Sequence, residues 1–225
     1  MYVAGPLFWL GETEVLTQEA ATLEAAGFAT FLPQRDGLEL TGVVGGYEAR
    51  GYSVVAAQAA ASADIYAFDM HALWASDAIV GLVAGSEPDS GTVAELATAA
   101  NALGIATVLY TAGEVRLFAA GTRLNPILAE LSTLRAPVPG APDRLSAPIL
   151  VDRLAALPEA VRASLSYVRS RWRRTPLSEL SRPLREAIRR GARLERDRTA
   201  RKHISATAET RRNGSALQSA RSRQQ

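Results

Sequence analysis

A chain of 225 residues that is 48% hydrophobic has the apolar content to bury a sizeable core, and its lack of cysteine excludes disulfides and thiolate metal sites. With His71 and His203 the only histidines, a metal site with two or three histidine ligands is not expected, and a Ser-His-Asp triad is expected only if His71 supplies its base. The net charge of +2 hides an asymmetry: residues 1–140 carry 5 Arg and no Lys against 15 Asp and Glu, whereas residues 141–225 carry 20 Arg and Lys against 8 acids, as two units of different character would.

Residues 2–4 form a short apolar run stopped by Gly5-Pro6, as a buried strand entering a turn would be. Helical spacing of Val15, Leu16 and Leu23 predicts a helix from Glu12 to Ala26, stopped by Gly27. Phe28 to Leu32 reads as a second strand closed by Pro33, and the Gly-rich residues 34–49 read as a loop over a site. An alanine-rich helix is expected from Val54 towards Leu73. The continuous apolar runs Ala78–Val83 and Ile105–Tyr110 read as strands buried on both faces, with a loop over 85–90 and a helix from Thr92 to Leu103 between them. Ile127 to Leu134 reads as a last short helix.

Strands alternating with helices predict an α/β domain, Rossmann-like or flavodoxin-like, with a parallel sheet between two helical layers. Ligands in such folds bind at the carboxyl ends of strands, which picks out the segments after Ala4, Leu32, Val83 and Tyr110. This domain is expected to span 1–136. Residues 137–144 read as a Pro-rich linker, 145–202 as a basic, partly helical extension, and 203–225 as a disordered tail poor in large apolar groups. No apolar run reaches the ~20 residues of a membrane helix, and Met1 leads straight into a strand-like segment; a soluble, cytoplasmic protein with no membrane partner is expected.

Asp89-Ser-Gly-Thr-Val-Ala-Glu95 is the stretch richest in chemistry. Gly91 permits a tight turn into a helix, Ser90 or Thr92 can cap it, and the helix N-terminus favours a carboxylate anion at Asp89 or Glu95. Asp69, Asp77 and the Tyr2 hydroxyl are candidates to converge on them. Clustered carboxylates without metal-binding histidines suit an anomeric carbon: one attacks, and another protonates the leaving group. Standing alone, a D-x-G-x-x-x-E string is better explained as a turn acid and a solvated helix position.

Five segments together displace that explanation. Tyr2-Val-Ala-Gly-Pro-Leu-Phe8, Phe31-Leu-Pro-Gln-Arg-Asp-Gly37, Asp69, Asp89-Ser-Gly-Thr-Val-Ala-Glu95-Leu96 and Asn125-Pro-Ile127 follow one another as in the nucleoside 2-deoxyribosyltransferase family, which the chain resembles over residues 1–135. The resemblance implies Glu95 as nucleophile, Tyr2 as the hydroxyl that orients it, and Asp69 and Asp89 as the acids that handle the base and the sugar hydroxyls. It also implies that Phe8 packs on the base, and that Asn125 and Ile127 reach into a neighbouring subunit's site in a homo-oligomer. Gly5, Leu7, Phe8, Ser90, Gly91 and Asn125 are accordingly the candidate substrate-binding residues. Nucleosides and nucleobases are the expected substrates, with no cofactor and no metal.

The chain departs from the family in having Ala97 where glycine usually follows Glu-Leu, and Glu114 where an Asp often stands two residues before the position of Arg116. It also continues for some 90 residues past the point where some members place a C-terminal carboxylate in the site. Some relatives cleave nucleoside 5′-monophosphates, but Gly5 to Glu12 carries no basic residue to hold a phosphate. A hydrolase that resolves the same Glu95 adduct with water stays open beside the transferase.

Other residues have simpler readings. His71 is better explained as a surface or capping histidine than as a proton donor, and Trp74 as a core residue. Trp9 divides between the base pocket and the core, and Arg35 and Asp36 between substrate contact and a solvated turn. The arginines at 171, 173, 174, 189, 190, 211 and 212 invite a nucleic-acid module, but only Tyr167 and Trp172 accompany them to stack on bases. A solvated, partly helical extension, or one that docks on the acidic domain of its own oligomer, is favoured over that reading.

Overall fold

The computed structural model describes residues 1–7, 10–84, 88–113, 124–137, 146–171 and 174–200. Its centre is a parallel sheet of β1 (Tyr2–Ala4), β2 (Ala78–Leu82) and β3 (Ala106–Tyr110), in that order, with Tyr2 opposite Ile79 and Val80 opposite Val108. Every residue of the three strands is buried, as their unbroken apolar runs require. Single parallel bridges extend the sheet at both edges, Phe31 beside Tyr2 and Val151 beside Tyr110. The order of extended segments is therefore 31, β1, β2, β3, 151, the doubly wound arrangement expected of a flavodoxin-like domain.

The expected second strand shrinks to that first bridge. Phe31 donates its N–H to the Met1 carbonyl and accepts from Val3, and Pro33 then opens a helix where a third pair would form. Residues 34–49 are not a loop. They fold into α2 (Pro33–Asp36) and α3 (Leu40–Glu48), the latter started by the Glu39 carboxylate, which accepts from the Thr41 and Gly42 amides. The glycines inside α3 cost helix propensity, but capping and packing against α4 (Val54–Ala75) outweigh it.

The two faces of the sheet feed two cores. One gathers Tyr2, Ala4, Ile79 and Leu109 with Met70 and Leu73 of α4 and Leu96 of α5 (Ser90–Ala97). The other gathers Val3, Val80, Leu82, Val108 and Tyr110 with Leu16, Ala20 and Leu23 of α1 (Leu10–Ala25). After α5 a wider π turn (Thr98–Leu103) keeps Ala99 and Leu103 on the first core. The helix expected over 127–134 is one turn, α6 (Pro126–Ala129); the chain then enters β4 (Arg135–Pro137), which pairs antiparallel with β5 (Ser146–Pro148). Ala136 and Pro137, expected at a domain edge and in a linker, thus lie in a strand, and residues 138–145 lie outside the described chain.

The basic segment is built into both layers. Helix α7 (Leu157–Arg171) starts well inside the expected basic extension, because 146–151 are extended against β4 and the sheet edge. It lays Leu157, Val161 and Val168 on the second core beside α1. A final helix, α8, covers residues 182–200 and sends Leu184 and Ile188 into the first core. Gly191 is the closest point of that packing: a Cβ there would lie 2.0 Å from the Ala67 carbonyl oxygen, so α8 meets the α4 backbone directly. The expected tail at 203–225 lies outside the described residues. No helix among the described residues is long and apolar enough to cross a membrane.

Candidate active site

Three secondary-structure elements bring the acids together. Tyr2 opens β1 and is fully buried, with its hydroxyl 2.6 Å from Glu95 Oε1 on α5. Gly81 makes that approach possible. A Cβ on it would lie 2.7 Å from the Leu96 side chain, so the glycine lets α5 sit directly on β2 and turns the neighbouring Glu95 towards Tyr2. Asp89 caps α5: its Oδ2 accepts from the Thr92 amide at 2.8 Å and the Thr92 hydroxyl at 3.1 Å. Asp69 comes from α4, one residue past the buried Phe68, and its charge is felt at both Tyr2 and Glu95.

Burial sets the protonation of this cluster. It raises the Glu95 carboxyl to about 7; the neighbouring Asp69 and Asp89 charges push the same way, and the Tyr2 hydrogen bond opposes them. Burial alone raises Asp69 to about 7. The Tyr2 phenol rises well above its ordinary value, through burial first and then the Glu95 and Asp69 charges, so it stays a hydrogen-bond donor across the physiological range. Two carboxyls that titrate near neutrality beside a fixed donor can supply both an anion and a proton in one site.

A model of the nucleoside 2-deoxyribosyltransferase family matches residues 1–133. The chain belongs to the nucleoside 2-deoxyribosyltransferase family. It is an enzyme of the pentosyltransferase kind, in a family that acts on nucleosides and nucleobases. No curated protein matches it in sequence. The matched region ends before α7 and α8, so this transferase-family chain completes both layers of its domain with residues outside the family match.

Glu95, Tyr2, Asp69 and Asp89 are thus drawn into one cluster. Ser90 and Gly91 lie exposed at the start of α5, beside Asp89. Gly5 and Leu7 follow β1; Gly5 is also a packing position, since a Cβ there would lie 2.4 Å from Leu16, while Leu7 is 43% exposed. Phe8 and Trp9 lie outside the described residues, as do Glu114 and Arg116. Asn125 caps α6 through the Ile127 amide at 2.9 Å, and the Ile127 side chain is 81% exposed. Ala97 lies within α5.

Asp77 does not converge. It precedes β2, at the amino end of that strand, is largely exposed and faces Arg174 at 3.9 Å. His71 is engaged by α8, with Nε2 2.8 Å from Glu195. Trp74 packs against the first core, under the Arg174 guanidinium. Arg35 and Asp36 pair with each other, and Arg35 also reaches Glu24 at 2.8 Å. Among the described residues no group of three or more His, Asp or Glu side chains is arranged to hold a metal ion.

Sequence reasoning did not single out the aromatic wall beside the cluster. The Phe31 ring stacks on Tyr2 at 5.4 Å and meets Phe68 at 6.0 Å. The signal was available for Phe31, the residue opposite Tyr2 once the two segments pair in parallel. It also did not single out Asp64, a buried α4 carboxylate that accepts from Tyr47 of α3 at 2.5 Å and from Arg190 of α8 at 2.8 Å.

Proposed function

We propose that the chain moves 2-deoxyribose between nucleobases through a covalent glycosyl-Glu95 intermediate. The observation that carries this reading is the unequal support of two carboxyls that both titrate near 7: Glu95 accepts the Tyr2 hydrogen bond, which favours its anion, whereas burial alone acts on Asp69 and favours its acid form. In the first half-reaction Glu95 attacks C1′ and the C1′–N bond breaks. Its electron pair leaves with the base, whose nitrogen takes the Asp69 proton. Asp89, anchored through Oδ2 at the start of α5, offers Oδ1 to a sugar hydroxyl. In the second half-reaction the incoming base nitrogen attacks C1′, the bond to Glu95 breaks, and the base proton returns to Asp69. Two displacements retain configuration at C1′.

Ile127, exposed beside Asn125, supports a shared site in which this segment enters a neighbouring copy. Of the arginines offered to nucleic acid, Arg174 faces Asp77 and Arg190 pairs with Asp64, which supports docking on the chain's own acidic portion over a nucleic-acid module.

The test supplies 2′-deoxyinosine or thymidine, with and without guanine, to the protein and to its Glu95→Ala variant, and separates products by chromatography. New deoxyguanosine formed only with intact Glu95 is the expected result. Free base accumulating at the same rate without an acceptor assigns the chain as a hydrolase instead. No turnover by the intact protein across a panel of deoxynucleosides overturns the catalytic reading.

A further inference from the structure

A cleft of about 200 Å³ is lined by Phe31, Asp36, Phe68, Glu195, Arg198 and Thr199. Its aromatic wall is continuous with Tyr2, the partner of Glu95, through the Phe31 stacking. The opposite wall is the last turns of α8, beyond the region matched by the family. Arg198 lies over the Phe68 ring, 5.6 Å from its centroid, and donates to the Asp36 backbone carbonyl. Glu195 is steadied by His71.

We propose that this cleft takes the nucleobase and selects oxo-bases, with Arg198 as the specificity-determining residue. The inference rests on the nucleoside-processing reading above. The Phe31 and Phe68 rings, tilted 41° to each other, offer apolar surface on which a planar heterocycle can pack. At its rim a guanidinium can only donate, with five N–H groups of which the Asp36 carbonyl takes one, and the carboxyl groups of Glu195, which pairs with His71, and of Asp36, which takes Arg35 and the Leu32 amide, supply acceptor oxygens. A donor beside an acceptor complements the C=O and ring N–H of hypoxanthine, guanine, uracil or thymine. Adenine and cytosine reverse that edge: an amino group faces the guanidinium and a bare ring nitrogen faces the carboxylates. A site built to hydrogen-bond one edge rejects the analogue that reverses it, because its own polar groups are left unpaired. The α8 extension is then a wall of the base pocket.

Binding of 2′-deoxyinosine and 2′-deoxyadenosine is measured by calorimetry on the full chain carrying Glu95→Ala, which holds nucleoside without turnover. Deoxyinosine should bind at least about tenfold more tightly, the value of a hydrogen bond from a charged donor. Adding Arg198→Met should erase that preference by weakening deoxyinosine alone, and Arg198→Lys should keep part of it. A purely structural role for Arg198 would weaken both ligands alike, and melting curves of the variants check that the fold is kept. Equal affinity for the two nucleosides, or a preference unchanged by Arg198→Met, overturns the inference and leaves the nucleoside-processing reading standing. Binding of neither nucleoside overturns both.

Discussion

The Tyr2 hydroxyl and Glu95 Oε1, 93 residues apart in sequence, meet at 2.6 Å because a parallel strand pair and the glycine at 81 hold β1 against α5. Tyr2→Phe removes the donor and keeps the ring that stacks on Phe31. Since that bond lowers the Glu95 pKa, its loss should move the acidic limb of the pH–rate profile upward and cut kcat by about ten- to a hundredfold at neutral pH. An unshifted acidic limb in the Phe variant would mean that the hydroxyl does not tune the nucleophile.

Activity should follow a narrow bell centred close to pH 7. Glu95 must be ionised, so kcat/KM falls as pH drops through about 7; Asp69 must be protonated, so it falls again as pH rises through about 7. The two limbs belong to the coupled pair, not to either acid by itself. Asp69→Asn should flatten the alkaline limb and keep the acidic one. The opposite pattern would exchange the roles of the two residues.

The central strands were legible because β2 and β3 are unbroken apolar runs; the helix between them was legible too, although its cap is Asp89 and not Ser90 or Thr92. Helix α3 was not legible, since Gly42, Gly45 and Gly46 signal a loop and its support comes from α4 in space. The core role of α7 and α8 was hidden by arginine. Leu157, Val161 and Val168, and again Leu184, Ile188 and Gly191, recur at helical spacing, yet long charged side chains on the remaining positions give the segment the composition of a solvated appendage. Convergence of Tyr2, Asp69, Asp89 and Glu95 cannot be read from their spacing at all. The ordered series of motifs suggested it, and the fold supplies its geometry.

Glu19 is fully buried in α1, and neither of its carboxylate oxygens has a hydrogen-bond partner. Burial raises its pKa well above 4.5, so the native state holds a proton that the unfolded chain releases. Stability contributed this way is complete below the unfolded pKa and declines as pH rises past it. Glu95 and Asp69 act in the same direction. Glu19→Met should therefore raise stability at pH 8 by about 1–3 kcal/mol and change it less at pH 4.5, measured by urea unfolding at the two pH values. An equal gain at both pH values would mean that the side chain finds a partner on ionisation.

At Gly191 a methyl group has no room, because the Ala67 carbonyl and His71 Cβ occupy it. Gly191→Ala should push α8 away from α4, strain the Arg190–Asp64 pair at 2.5 Å and lower stability by about 1–3 kcal/mol by overpacking. A helix-propensity gain of up to about 1 kcal/mol opposes this and does not cancel it. A melting temperature equal to or above that of the parent would show that α8 is not seated on α4 in solution.

The family match ends at residue 133, but the sheet is not covered there. Leu82, Val108 and Tyr110 share a face with α1, and the other half of that face is closed by Leu157, Val161 and Val168 of α7. Val151 supplies the last parallel bridge and takes the Thr111 amide. A chain ending at residue 136 would leave the β3 side of this face open to water and its outer edge unpaired, which invites association through the edge. Expressed alone, residues 1–136 should be insoluble or bind a hydrophobic dye strongly, while the full chain shows a cooperative melt and little dye binding. A soluble, cooperatively folding 1–136 fragment with nucleoside affinity equal to that of the full chain would refute the structural role of α7 and, with it, the placement of Arg198 in the base pocket.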